Sequence, residues 1–200
     1  MELLQQAGSA EDFRARVGAR ALETPTVSED QRIEVIVSRL PVTDWPERPL
    51  LVTAVDAASG EFVVFDRDAG VPLPLAVAAS CAVPMVWPPV SIDGRRYMDG
   101  GVRSVTNLDL AAGHDEVLLV APFVNPGMGP GQPGFDVELR SLGPGARVEV
   151  ITPDDDALAA FGPNVLDPAR RAAAARAGLA QGERHVAEVA ALWSAPPAAG

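Results

Sequence analysis

An α/β fold is predicted by three observations on this 200-residue chain. Short β-branched or aromatic runs alternate with helical segments from Leu50 to Thr152, which argues for helices layered on a sheet. Glu116 to Ala121 is a continuous apolar run, as expected of a strand covered on both faces. Beyond Asp154 the sequence becomes alanine-rich and helical in character, a tail that would close one side. The expected division is therefore a single domain over residues 1–200. Residues 1–49 form a helical lead-in, 50–152 the α/β core and 153–200 a helical tail.

The elements follow in order. Ser9-Ala10-Glu11-Asp12 and Ser28-Glu29-Asp30-Gln31 each place a hydroxyl three residues before an acceptor, which predicts two capped helices. Behind the second cap, Ile33, Ile36, Val37 and Leu40 recur at helical spacing until Pro41 stops the run. A loop around Trp45 and Pro46 follows. Leu50–Val55 and Glu61–Phe65 read as a hairpin turning through Asp56 to Gly60. Pro72 to Ala82 lacks charge and is rich in alanine, which suits a buried, closely packed helix.

Asp93-Gly94, between Val90–Ile92 and Arg95–Met98, is the strongest hairpin signal, because that dipeptide favours a turn with φ > 0 at both positions. Asn125 to Gly134 is dense in Gly and Pro and is expected to be a mobile surface loop. Phe135–Leu142 should be a helix, Val148–Thr152 a strand and Asp154–Ala160 a short helix. Asp167-Pro168 opens a long helix reaching Leu192, with a break expected at Gly178 and Gly182.

Composition removes several function classes. Apolar residues make up 48% and charged residues 22%, which excludes a wholly disordered chain. The net charge of −11 repels phosphate backbones, so nucleic acid is not an expected partner; Arg95, Arg96 and Arg103 are the only candidates for a local basic patch near the central motif. A single cysteine, Cys81, forbids an intrachain disulfide and points to a reducing, cytoplasmic setting. No run approaches the ~20 apolar residues of a membrane span.

The residues that carry chemistry are Arg95-Arg96-Tyr97-Met98-Asp99-Gly100-Gly101. One carboxylate closes a short strand, and two glycines let the backbone turn sharply behind it. An Asp serves as a general base when burial raises its proton affinity and a rigid turn fixes its direction. Upstream lie Ala78-Ala79-Ser80-Cys81-Ala82-Val83-Pro84 and Trp87-Pro88-Pro89-Val90; downstream lies Asn107-Leu108-Asp109-Leu110-Ala111. With these, Leu50 to Ala121 resembles the part of a patatin-like phospholipase that carries the Asp of a Ser–Asp dyad. The resemblance implies a three-layer α/β sandwich with a mainly parallel sheet and hydrolysis of lipid acyl esters. It further implies Asp99 as the catalytic residue, Gly100 and Gly101 as motif support, and no metal or cofactor.

The family's Gly-x-Ser-x-Gly turn and its glycine-rich oxyanion loop are absent from these residues. The expectation is an Asp-bearing portion whose N-terminal part is missing, inactive alone, with the serine supplied upstream or by a complementary chain. The alternative is a degenerate, non-catalytic domain that binds lipid or a protein partner. Ser80 and Cys81 are the nearest substitute nucleophiles, but a packed hydroxyl bonding a helix carbonyl and a buried inert thiol are the expected roles. Asp154-Asp155-Asp156 suits a helix N-terminus. Asp109, His114 and Asp115 match no ligand spacing, and His185 belongs to a polar helix face with Glu183, Arg184 and Glu188.

Overall fold

The computed structural model describes residues 7–124, 132–165 and 167–194. The chain forms two compact units, residues 1–107 with 127–134 and residues 108–126 with 135–200. Most of the loop expected at Asn125 to Gly134 lies outside the described residues.

In the first unit, helix α1 (Ala10–Glu23) starts where the Ser9 hydroxyl accepts the Asp12 N–H, and helix α2 (Glu29–Val37) starts with the reciprocal Ser28–Gln31 box. Both caps follow the predicted pattern because each hydroxyl satisfies an N–H that has no intrahelical acceptor. Strands β1 (Val52–Asp56), β2 (Phe62–Phe65), β3 (Val90–Ile92) and β4 (Arg95–Asp99) make a sheet of order β2-β1-β4-β3, antiparallel throughout. The β3–β4 turn has φ 48° at Asp93 and 76° at Gly94, as the dipeptide predicts.

Helix α3 (Leu73–Ser80) packs on β1 and β4. Its Ala76, Ala78 and Ala79 are fully buried, so short side chains permit the close approach expected of this segment. Val52, Ala54, Phe65, Val90, Ile92 and Tyr97 complete that core, with Phe65 and Tyr97 meeting edge to face at 5.3 Å. Val55, Ala57 and Met98 fill the opposite face of the sheet. There α1 lies so near the chain that a Cβ on Gly18 would stand 1.9 Å from the Ala57 carbonyl oxygen.

The second unit contains β5 (Glu116–Val120) paired in parallel with β6 (Arg147–Ile151). Helices α4 (Phe135–Ser141), α5 (Asp155–Phe161) and α6 (Arg171–Ser194) belong to it, with a 3₁₀ turn at Leu108–Ala111. Leu108, Val117 and Leu142 form its core. Gln181, buried on α6, donates to the Thr152 carbonyl at 2.7 Å and fastens the helix to the end of β6.

Three expectations change. A mainly parallel sheet is not what the described residues form: three of the four strand pairings are antiparallel, because short turns join β1 to β2 and β3 to β4. Strand β5 is not covered on both faces, since only Val117 within it is buried and Val120 is 69% exposed. Helix α6 runs unbroken through Gly178 and Gly182, where it is preceded by a 3₁₀ turn capped by Asp167. Glycine costs a helix only about 1 kcal/mol, which the packing of α6 on α5 and β6 offsets.

Candidate active site

Asp99 is the last residue of β4, opposite Ala54 of β1, and its N–H donates to the Ala82 carbonyl at 3.0 Å. A 3₁₀ turn, Gly100–Val102, begins immediately after it. The Asp99 side chain caps that turn, one carboxylate oxygen accepting the Gly101 N–H at 2.8 Å. Gly100 is demanded by β1: a Cβ there would lie 2.3 Å from Thr53 Oγ1 and 2.7 Å from the Thr53 carbonyl oxygen. At Gly101 a Cβ would meet only the Asp99 carboxylate, at 3.0 Å. One glycine thus lets the strands close, and the other leaves room for the carboxylate. Gln132 adds an amide donor to the Val102 carbonyl at 3.1 Å.

Asp99 is half-buried, and burial pushes its carboxyl above the ordinary range while the Gly101 hydrogen bond partly opposes the rise. Among the described residues no cation pairs with it, and no serine, threonine or cysteine hydrogen-bonds it. The contrast is Asp56, on the adjacent strand. Burial would raise Asp56 too, but N–H donors from Ser59 and Ala58 and the Arg95 guanidinium at 2.7 Å outweigh it and hold that carboxyl below the usual range. Two neighbouring carboxylates are therefore driven in opposite directions, one toward structure and one toward basicity.

The remaining sequence candidates take structural places. Arg95 bridges Asp56 and Glu61, and Arg96 donates to the Pro89 carbonyl and approaches Glu29. Arg103 lies over the Phe62 ring and donates to Asn107. The three arginines are each engaged and form no free basic patch. The Ser80 hydroxyl makes no hydrogen bond among the described residues, unlike the helix-carbonyl bond expected of it. Ser104 is 1% exposed, and its hydroxyl accepts the Asn107 N–H at 2.9 Å. Cys81 is a free thiol raised by burial and then by Asp99, with Arg32 pulling the other way, so it is a weak nucleophile.

In the second unit Asp154 caps α5 by accepting the Ala157 N–H and also pairs with Arg184. His114 is exposed and contacts the Ala111 carbonyl. His185 meets Glu188 at 2.7 Å, and with Glu149 of β6 these residues place three potential ligand atoms within 4.8 Å of one another. The His185–Glu188 hydrogen bond links two of the three, and nothing else marks the group as a site. Glu149 is a member the sequence did not suggest, because its partners are 36 and 39 positions away.

Arg32 and Gln132 were not among the candidates suggested by the sequence, and Trp87 only as part of the Trp87-Pro88-Pro89-Val90 run. Arg32 carried a readable signal: it stands four residues before Ile36, on the face of α2 that is buried.

The family model for patatin-like phospholipases matches residues 5–112, from the start of α1 past the Asp-Gly-Gly turn. None of the curated proteins matches the chain. With more than half of the sequence fitting one profile, and the Asp99 turn inside the matched span, the chain belongs to the patatin-like phospholipase family.

Proposed function

We propose that this chain supplies the proton-accepting half of a Ser–Asp acyl hydrolase acting on lipid esters. The family consists of lipid acyl hydrolases. The observation that carries the assignment of Asp99 is its setting: a half-buried carboxylate, raised by burial, aimed by one backbone N–H and paired with no cation. Such a group takes a proton more readily than a solvated aspartate. In this reading Asp99 accepts the proton of a serine hydroxyl as the serine oxygen attacks the ester carbonyl. The proton then passes to the leaving alkoxide, an acyl-enzyme remains, and water releases the acid.

The serine comes from outside these residues, from an upstream segment or a complementary chain, since no Gly-x-Ser-x-Gly turn occurs in the sequence. The described strands would then belong to the family's three-layer architecture, its mainly parallel sheet completed by the nucleophile-bearing strands. A cytoplasmic setting belongs to the same proposal. Among the described residues no helix is long and apolar enough to cross a membrane, so the lipid would be met at a surface or as free molecules.

The test is hydrolysis of a p-nitrophenyl acyl ester by the chain alone, then mixed with a polypeptide bearing the nucleophile turn. Activity only in the mixture, lost by about 10³-fold or more in Asp99→Asn, is expected. Background rates in the mixture at high concentration would defeat the split-enzyme reading. The missing nucleophile turn also favours a second reading, a non-catalytic domain that binds lipid or a protein. An active mixture indifferent to Asp99→Asn would support it.

A further inference from the structure

Among the described residues, Arg32 Nε is the buried side-chain nitrogen or oxygen without a hydrogen-bond partner. The residue is only 7% exposed. Its guanidinium carbon stands 4.0 Å from the centre of the Trp87 ring. Among the described residues it makes no ion pair or side-chain hydrogen bond. Glu29, one turn earlier on α2, is occupied by Ser91 and Arg96. Burial disfavours the Arg32 charge first of all, and the titratable groups that act on it besides are the neutral Cys81 thiol and the like-charged Arg39 guanidinium, neither of which is a carboxylate. A buried cation without an acceptor is costly, and stacking on an aromatic ring recovers only part of the loss. In a chain of net charge −11 the shortage of a carboxylate here is specific to the place, not to the composition.

The surroundings indicate what would bind. The segment from Ala82 to Trp87 ties Arg32 to the proposed base: the Ala82 carbonyl accepts the Asp99 N–H at 3.0 Å, and Trp87 carries the guanidinium. The same segment exposes Val83, Met85 and Val86 at 42%, 47% and 39%. The ring that holds the cation thus ends a segment whose preceding residues expose an apolar strip. That combination suits an amphiphile, its oxyanion on Arg32 and its hydrocarbon chain along Val83, Met85 and Val86.

We propose that Arg32, held by Trp87, is a binding residue for the anionic oxygen group of an acyl amphiphile, either a fatty carboxylate or a lipid phosphodiester. The location beside Asp99 gains its meaning from the acyl-hydrolase reading, but binding does not depend on that reading. Arg32 anchors the ligand's charge and takes no proton, so it sets which esters or products are held.

Titration calorimetry on the full chain tests this with three probes below their micelle concentrations: dodecanoate, dodecylphosphocholine and neutral dodecyl maltoside. One or both oxyanion probes should bind more tightly than the maltoside. Arg32→Met should weaken them by about tenfold or more, the loss expected for a charge-assisted hydrogen bond. The probe that loses affinity identifies the source, carboxylate or phosphodiester. Arg32→Lys should keep part of the affinity, and exposed Val86→Asp should weaken both anions even if Arg32→Met fails to fold. Equal binding of all three probes, or oxyanion binding unchanged in Arg32→Met, would overturn the proposal. Asp99→Asn should leave binding intact, so loss of hydrolysis and loss of binding are separable results.

Discussion

Replacing Gly100 by alanine tests whether the turn is built around β1. The added methyl carbon would stand 2.3 Å from Thr53 Oγ1, 2.7 Å from the Thr53 carbonyl oxygen and 2.8 Å from its carbon. The hydroxyl can rotate, but the carbonyl belongs to the backbone of a central strand. Moving it to ordinary contact at 3.4 Å means separating β1 from β4 beside the Ala54–Asp99 pair. Overpacking of this kind costs ~1–3 kcal/mol. Removing a glycine from the unfolded chain returns ~0.4–1 kcal/mol. The net expectation is a loss of about 1–2 kcal/mol, read by calorimetry as a melting temperature lower by roughly 2–8 °C for a chain of this size. Gly101→Ala is the control, since its Cβ meets only the movable Asp99 carboxylate, and it should melt within about 2 °C of the parent. Adding Thr53→Ala to Gly100→Ala should recover only part of the loss, because the carbonyl contact remains. If Gly100→Ala melted at or above the parent, or Gly101→Ala proved the more damaging, the turn would not be held by the contact described.

Three further outcomes follow from the same geometry. Asp99 binds its proton more tightly folded than unfolded, so its charge lowers stability progressively as pH rises from the ordinary value of 3.8 through the raised folded value; Asp99→Asn should melt higher than the parent at pH 7 and equally at pH 3.5. Asp56 has the opposite sign, its stabilisation present above 3.8 and lost as pH falls through the depressed folded value. Asp56→Ala should therefore cost about 2–3 kcal/mol in urea unfolding at pH 7, by stranding the Ala58 and Ser59 N–H groups and Arg95, and the gap should narrow in acid. Gly178→Ala and Gly182→Ala, where a Cβ meets nothing within 4 Å, should each stabilise α6 by up to about 1 kcal/mol, and a loss in either would show that α6 needs its glycines.

What the sequence disclosed depended on the range of the interaction. Caps and turns are local, so Ser9, Ser28 and Asp93-Gly94 could be read directly, each satisfying a need within four residues. Strand direction is not local. Glu116–Ala121 reads as a buried central strand by its hydrophobicity, yet its coverage depends on what lies beside it, and β6 is its only partner among the described residues. The Asp-Gly-Gly turn was legible as a motif, but the reason for its first glycine, Thr53 at 47 positions distant, was not. Arg32 shows the same limit: its spacing from Ile36 places it on the buried face of α2, but only the fold brings Trp87 over it.

The two aspartates of the central sheet show why motif and environment must be argued separately. Asp56 and Asp99 lie on adjacent strands, and each is followed by a tight turn whose N–H groups its side chain accepts. An Asp with a nearby glycine, taken alone, describes either. Asp56 receives two backbone N–H groups and a guanidinium, which satisfy the charge and remove its appetite for a proton. Asp99 receives one N–H and no cation, and burial dominates. Supplying Asp99 with a cation should therefore lower its basicity while leaving the turn intact. Ala54→Lys is too buried to serve, but Val102→Lys, on a partly exposed turn, could bring an ammonium near the carboxylate. Carbon-13 NMR of the Asp99 carboxyl should then show its pKa falling toward the ordinary value, as it does beside any new positive charge. An unchanged titration in a variant with unaltered Gly101 N–H chemical shift would mean that burial is not what sets the proton affinity of Asp99.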